Sequence, residues 1–260
     1  MSENEGAANE SGGQQRVSSR RRRLLAAVGA ASLSAVAGCG GSSGSAAPTD
    51  TANATSTETT TETEGATTEA GDARFGYIGT DDAAPPVEPD HTVSLNIRPR
   101  ENVDIPEFYF EPTGLFVEPG DTVRFDMATP HHNVNAYHPK FGYSQRVPEQ
   151  TPAYSSPILG AGEYWLYTFE NEGVHNIMCA PHELFGMVGS VVVGSATGPG
   201  TNPVGEAPKP TPESRPPEYT AGTVLSDPAM DPDNIVERGS VSWDDIADEN
   251  KQLLLEPVEE

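Results

Sequence analysis

The sequence predicts an all-β fold, a sandwich or small barrel, over residues 74–194. Three observations carry this expectation. Apolar and polar residues alternate with period two in several segments, Gly/Pro turns separate those segments, and no long stretch of helical period lies between them. A span of roughly 120 residues is an ordinary single-domain size.

The strands are predicted in order. Val93, Leu95 and Ile97 alternate with Ser94, Asn96 and Arg98, so one face is buried. Phe108-Tyr109-Phe110 and Leu115-Phe116-Val117 lead to the turn Pro119-Gly120-Asp121, after which Val123, Phe125 and Met127 alternate again. The turn Gly160-Ala161-Gly162 introduces Tyr164 to Phe169, an aromatic-rich run that suits a pleated surface. Val174–Met178 and Ser190–Val193 are the last candidates. The stretch from Lys140 to Gly160 has no readable period.

Composition bounds the rest. The chain has 260 residues, 35% hydrophobic, with 26 Gly and 24 Pro, which excludes one large core filling the whole length. Its formal net charge is −24, and the basic residues cluster only near the N-terminus, which excludes a basic nucleic-acid binder. Acidic residues are spread over the chain, and lysine occurs only at Lys140, Lys209 and Lys251. This reads as adaptation to high salt, where the screening length shrinks to about 3 Å at 1 M and self-repulsion is weak. The two cysteines, Cys39 and Cys179, exclude a disulfide scaffold.

Residues 1–39 read as an export signal. Arg20 to Arg23 precede Leu24-Leu25 and an apolar run ending at Ala37, shorter than the roughly 20 residues a bilayer span needs. The paired arginines resemble a twin-arginine signal, and Val36-Ala37-Gly38-Cys39 resembles a lipobox, in which Cys39 becomes the lipidated first residue. The expected location is the outer face of the cell membrane, anchored but not spanning. Residues 40–73, dense in Thr, Ser, Ala and Glu, are expected to form a disordered stalk, with Asn53-Ala54-Thr55 as an acceptor sequon. Residues 195–260 form a Pro-rich acidic extension. In it Ile235-Val236 and Val241 are candidates for a short strand, Ser242 for a helix N-cap, and Leu253-Leu254-Leu255 for that helix's apolar face. This tail is expected to dock on the β domain and do no chemistry.

The chemistry lies in Cys179-Ala180-Pro181-His182 followed by Met187, with His131-His132-Asn133-Val134 upstream. Two imidazoles, a thiolate and a thioether are the donors of a blue-copper electron-transfer centre. On a β scaffold Cys179 ends one strand, the loop carries His182 and Met187, and the next strand starts at Val188. The fourth donor must come from another strand end, where His132 stands.

These residues, together with Phe110-x-Pro112 and Val117-x-Pro119-Gly120-Asp121-x-Val123, resemble the plastocyanin/pseudoazurin cupredoxins over about residues 90–194. With the lipobox and the acidity, the chain looks most like the halocyanins of haloarchaea. The resemblance implies a cupredoxin-like Greek-key β-sandwich and one type 1 copper ion bound by His132, Cys179, His182 and Met187. It also implies that Asn133 braces the cysteine loop by hydrogen bonding. His131 is the rival to His132. His175 is read as a buried core residue, with tuning of the potential as the rival role, and His91 and His138 as surface residues.

The expected function is single-electron transfer, not catalysis, since Met187 fills the axial position and no second metal ligand set is evident. The expected partners are proteins of a membrane respiratory chain, with Leu184 and Phe185 as an apolar rim beside His182. The rival readings are copper storage or delivery and a non-redox interaction domain on the same scaffold.

Overall fold

The computed structural model describes residues 72–101 and 103–251. The expected export signal, Cys39, nearly all of the stalk and Leu253–Leu255 lie outside the described residues. No described helix is long and apolar enough to cross a membrane.

Ten strands occur: β1 (Tyr77–Thr80), β2 (His91–Arg100), β3 (Val103–Glu111), β4 (Gly114–Val117), β5 (Thr122–Met127), β6 (Asn135–Ala136), β7 (Glu163–Thr168), β8 (Gly173–Met178), β9 (Val188–Val193) and β10 (Ser240–Val241). They form two five-stranded sheets. The first has the order β1-β7-β5-β2-β3, the second β10-β4-β9-β8-β6. The pairs β2–β5 and β4–β9 are parallel and the others antiparallel, the signature of Greek-key crossings between the sheets. Every run within residues 74–194 expected to be a strand is one; β1 and β6 are too short or too irregular to announce themselves by alternation.

The inner faces make one core. Leu95, Phe110, Phe125 and Met127 from the first sheet meet Val117, Ile177, Val191 and Val193 from the second, and Cys179 and Met187 belong to the same cluster. Fully burying each such large side chain contributes about 1.5–3 kcal/mol. β8 and β9 are buried on both faces. Their inner residues face the core; Val174, Met178, Val188 and Val192 face outward into a second apolar cluster supplied by the C-terminal extension.

That extension is ordered as α1 (Tyr219–Leu225), α2 (Pro232–Arg238), β10 and several single 3-10 turns. Ile235-Val236, expected as strand, lies in α2: Pro232 at the first turn, Asp231 accepting from Asp233 N–H and Gly239 at the C-terminus bound a helix there. Ile235 is thereby turned onto β4, where Gly114 leaves the space; a Cβ on Gly114 would meet Ile235 Cδ1 at 2.9 Å. Val241 is strand as expected and pairs with Gly114, covering the open edge of the second sheet. Ser242 does cap a helical turn, with Asp245 completing a capping box, but the turn spans only Trp243–Asp245. Trp243 is wholly buried and stacks on Tyr109 at 5.5 Å between ring centroids.

The segment that has no readable period, Lys140 to Gly160, is largely irregular and is held by distant chain. Val147 and Tyr154 enter the inner core. Arg146, 2% exposed, donates to Asn176 Oδ1 (2.8 Å), Asn202 O (3.1 Å) and Gly200 O (3.1 Å), tying this segment to β8 and to the start of the extension.

His175 is a buried core residue. Its Nε2–H donates to Asn171 O at 2.8 Å, and Phe169 stands edge-on to its ring. Burial pushes its pKa down to about 4. The folded state therefore favours the neutral ring. That contribution is complete above the unfolded value of about 6.5 and is lost as pH falls towards 4. Urea titrations of wild type and His175→Phe at several pH values should diverge over this window by on the order of 3 kcal/mol. Parallel curves would mean that His175 is not titrating. Trp243→Ala should destabilise by about 3–5 kcal/mol, the usual cost of emptying a buried aromatic site, read from the urea midpoint.

Candidate metal centre

The cysteine strand and the loop after it do most of the building. Cys179 follows β8 with its side chain on the inner face. The 3-10 turn Ala180–Phe185 then reverses the chain, ending at Gly186, whose positive φ of 84° suits glycine. Two backbone bonds close the loop: Cys179 N–H donates to Met187 O (3.0 Å) and Met187 N–H to His182 O (3.2 Å). Three of the four donors expected from the sequence are thus delivered by nine residues.

The fourth comes from the turn after β5. His131 there has a positive φ of 70° and an exposed side chain, while His132 is fully buried. The left-handed residue reverses the chain so that only the second histidine turns inward. A bridge pairs His132 with Leu159 and fixes its backbone. Thr129 Oγ1 lies 2.9 Å from His132 Nε2, so Nε2–H donates to the hydroxyl and Nδ1 keeps its lone pair. Thr129 was not singled out by the sequence; its place three residues before His132 was the available signal.

The donor atoms converge. Cys179 Sγ lies 3.6 Å from His132 Nδ1 and 3.3 Å from His182 Nδ1, and the two nitrogens are 3.2 Å apart. Among the described residues, these are the three that group as a metal-holding set. Met187 is fully buried in the same cluster as Cys179. Burial pushes the Cys179 thiol up to about 11, against the opposing effect of Asn133 N–H, and pushes both imidazoles down to about 4. At neutral pH the metal-free pocket therefore presents two unprotonated nitrogens and one thiol. Two imidazoles and a sulfur around one point fit a single type 1 copper ion.

Asn133 links the two halves. Its backbone N–H points at Cys179 Sγ (3.4 Å), and its side-chain Oδ1 accepts from Ala180 N–H (2.8 Å). Ser156, from the segment with no readable period, accepts from Val134 N–H through its hydroxyl and supports this turn from below. The remaining histidines stand apart from the donor cluster: His91 pairs with Asp121, and His138 accepts from Lys140 N–H, both half-buried rather than free surface residues.

Residues 99–194 match the model for copper binding proteins of the plastocyanin/azurin family. The match covers the segment that carries all the candidate donors. The chain is 34% identical over 87 residues to a pseudoazurin of Paracoccus pantotrophus, covering 34% of this chain and 54% of that protein. It is 31% identical over 85 residues to a pseudoazurin of Methylorubrum extorquens, covering 33% and 51%. The chain thus spans about half the length of the curated relatives it matches. Among solved structures, it is similar to pseudoazurin from Methylobacterium extorquens (27% identity, TM-score 0.33, 41% of this chain and 76% of that one). It is also similar to a purple cupredoxin from Nitrosopumilus maritimus (27%, TM-score 0.29, 40% and 99%).

Two predictions separate the roles of these residues. His132→Gln should abolish the intense visible absorption of the copper-loaded protein, whereas His131→Gln should leave it in place; the reverse result would reassign the ligand. Asn133→Ala removes the bond from Ala180 N–H, a part-buried contact worth about 0.5–1.5 kcal/mol that joins the two ligand turns. Copper should then pass to a competing chelator at least several-fold faster, followed as decay of the colour.

Proposed function

We propose that this protein is a blue copper electron carrier, tethered to the outer face of the cell membrane, that passes single electrons between redox partners. The convergence of Cys179 Sγ with the two Nδ1 atoms carries the reading. Copper held by His132, Cys179, His182 and Met187 would supply the one-electron couple. What the chain contributes is a donor set held in place from two sides, so that little has to move when the charge changes.

Closure of the site favours transfer over catalysis. His132, Cys179 and Met187 are all fully buried, which leaves a substrate no route to a coordination position. Copper delivery is disfavoured by the same burial, since handing over a metal calls for reachable donors. His182 is the half-buried donor. Its ring stacks on Phe108 at 4.2 Å, Phe108 stacks on Phe185 at 5.1 Å, and Leu184 beside them is 48% exposed. This apolar edge suits the small, short-lived interface of a redox encounter.

The rest of the proposal rests on the sequence. The twin-arginine and lipobox patterns favour export and lipidation at Cys39, and the Thr/Ser-rich stalk gives the domain reach. The acidity and the scarcity of lysine favour a halocyanin-type protein of a salt-adapted cell, with partners in a membrane respiratory chain.

The purified chain loaded with Cu(II) should show intense visible absorption and the narrow copper hyperfine splitting of a type 1 centre, and Cys179→Ser should lose both. A colourless protein, or colour that survives loss of the thiol, rejects the reading. In the native host Cys39→Ser should move the protein from the membrane fraction to the soluble one; unchanged partition would remove the lipid tether.

A further inference from the structure

The loop that supplies His182 and Met187 carries a carboxylate on the residue next to a ligand. Glu183 does not face solvent or the metal position: its side chain is 4% exposed and turns towards the C-terminal extension. Its Oε1 accepts from Tyr137 O–H (2.8 Å), from Glu218 N–H (3.1 Å) and from Arg215 Nη1 (3.3 Å), and its Oε2 from Arg215 Nη2 (2.6 Å). Four donors thus satisfy one buried carboxylate, two of them in the forked geometry peculiar to arginine. Thr220 Oγ1 donates to Leu184 O at 2.5 Å. α1 packs against Gly186: a Cβ there would lie 3.5 Å from Val224 Cγ2 and 3.7 Å from Thr220 O.

Arg215, Glu218, Thr220 and Val224 lie beyond residue 194, where the match to the copper-binding family ends. Contacts from outside that segment therefore hold Glu183, Leu184 and Gly186, which stand between the two donors His182 and Met187. A buried ion pair is a poor source of net stability, because desolvation offsets attraction, but its direction makes it a good device for fixing geometry. The apolar packing of the extension on β8 and β9 would hold it to the sheet without any of these bonds.

We propose that Arg215–Val224 is a clamp on the copper loop, and that Glu183 is the positioning residue through which the extension sets the placement of His182 and Met187. This rests on the copper reading above. The clamp makes metal retention and the spectroscopic geometry of the site depend on a segment far from it in sequence.

The test uses the full chain with Arg215→Met, Glu183→Gln, and the control Arg238→Met, which breaks a pair with Asp245 elsewhere on the extension. In the metal-free protein, amide exchange over residues 182–187 should speed at least tenfold in Arg215→Met and less in Glu183→Gln, with β5 and β7 unchanged. In the copper-loaded protein, transfer to a chelator should speed at least tenfold and the copper hyperfine splitting should shift. Arg238→Met should match wild type throughout. If Arg215→Met alone does not fold, the double variant Glu183→Gln/Arg215→Met removes the buried charge as well and is read in its place. Loop exchange, release rate and spectrum all equal to wild type would overturn the clamp. A wild-type protein that takes up no copper would overturn the copper reading instead, while the metal-free exchange still decides the clamp.

Discussion

One sulfur atom sets the terms for the rest of the molecule. Cys179 Sγ is fully buried between the sheets, where a thiolate is costly, and the pocket alone pushes its pKa up to about 11. The sulfur is usable only if positive or polar partners meet it there, and these must come from chain that is distant in sequence. Asn133 meets both needs. Its N–H reaches the sulfur from 46 residues away, and its side chain holds the residue after the cysteine. β5 and β8 belong to different sheets, and the turn after the one meets the end of the other through the bonds of Asn133 to Cys179 and Ala180. The fold thus places the ligand turns, and the hydrogen bonds between them decide their spacing.

The second constraint is the sheet that carries the cysteine. Two of its inner strands, β8 and β9, are buried on both faces, and a sheet with one bare apolar face is an aggregation hazard. The extension answers this with Met230, Ile235, Val241 and Trp243 against Val174, Met178, Val188 and Val192. It also supplies β10 to the exposed edge. A domain cut at Gly194 would leave this face uncovered. The extension belongs to the folded unit, and its one-sided packing places α1 against the ligand loop.

How much of this was legible depended on whether the signal was local. Val93, Leu95, Val123, Phe125 and Met127 alternate because one face is buried, and period two reports that directly. Cys179 and His182 were legible because they sit on one short loop, and His132 because Asn133-Val134 follows it. The run Val191-Val192-Val193 carried a further message, burial on both faces, which already implied a cover for the second sheet. Ile235-Val236 misled because β-branched residues favour strands, while the Asp231-Pro232 start and the Gly239 stop favour a helix; the terminal signals won. Thr129, Ser156 and Arg215 were illegible because their roles are hydrogen bonds to distant chain, which leave no period.

The acidity of the chain poses a chemical problem at the site, and Glu183 shows how it is met. A free carboxylate beside His182 would offer a hard oxygen donor to the metal and a negative charge to the sulfur. Turning that carboxylate away and satisfying it with Arg215, Tyr137 and the Glu218 amide leaves the pocket with nitrogen and sulfur donors, which suit copper. The stacked rings of His182, Phe108 and Phe185 then keep the half-buried side apolar. A protein of formal net charge −24 thereby presents a soft, apolar edge beside the donor cluster. Charge elsewhere on the surface is free to serve solubility, because the local pairing has separated it from the chemistry.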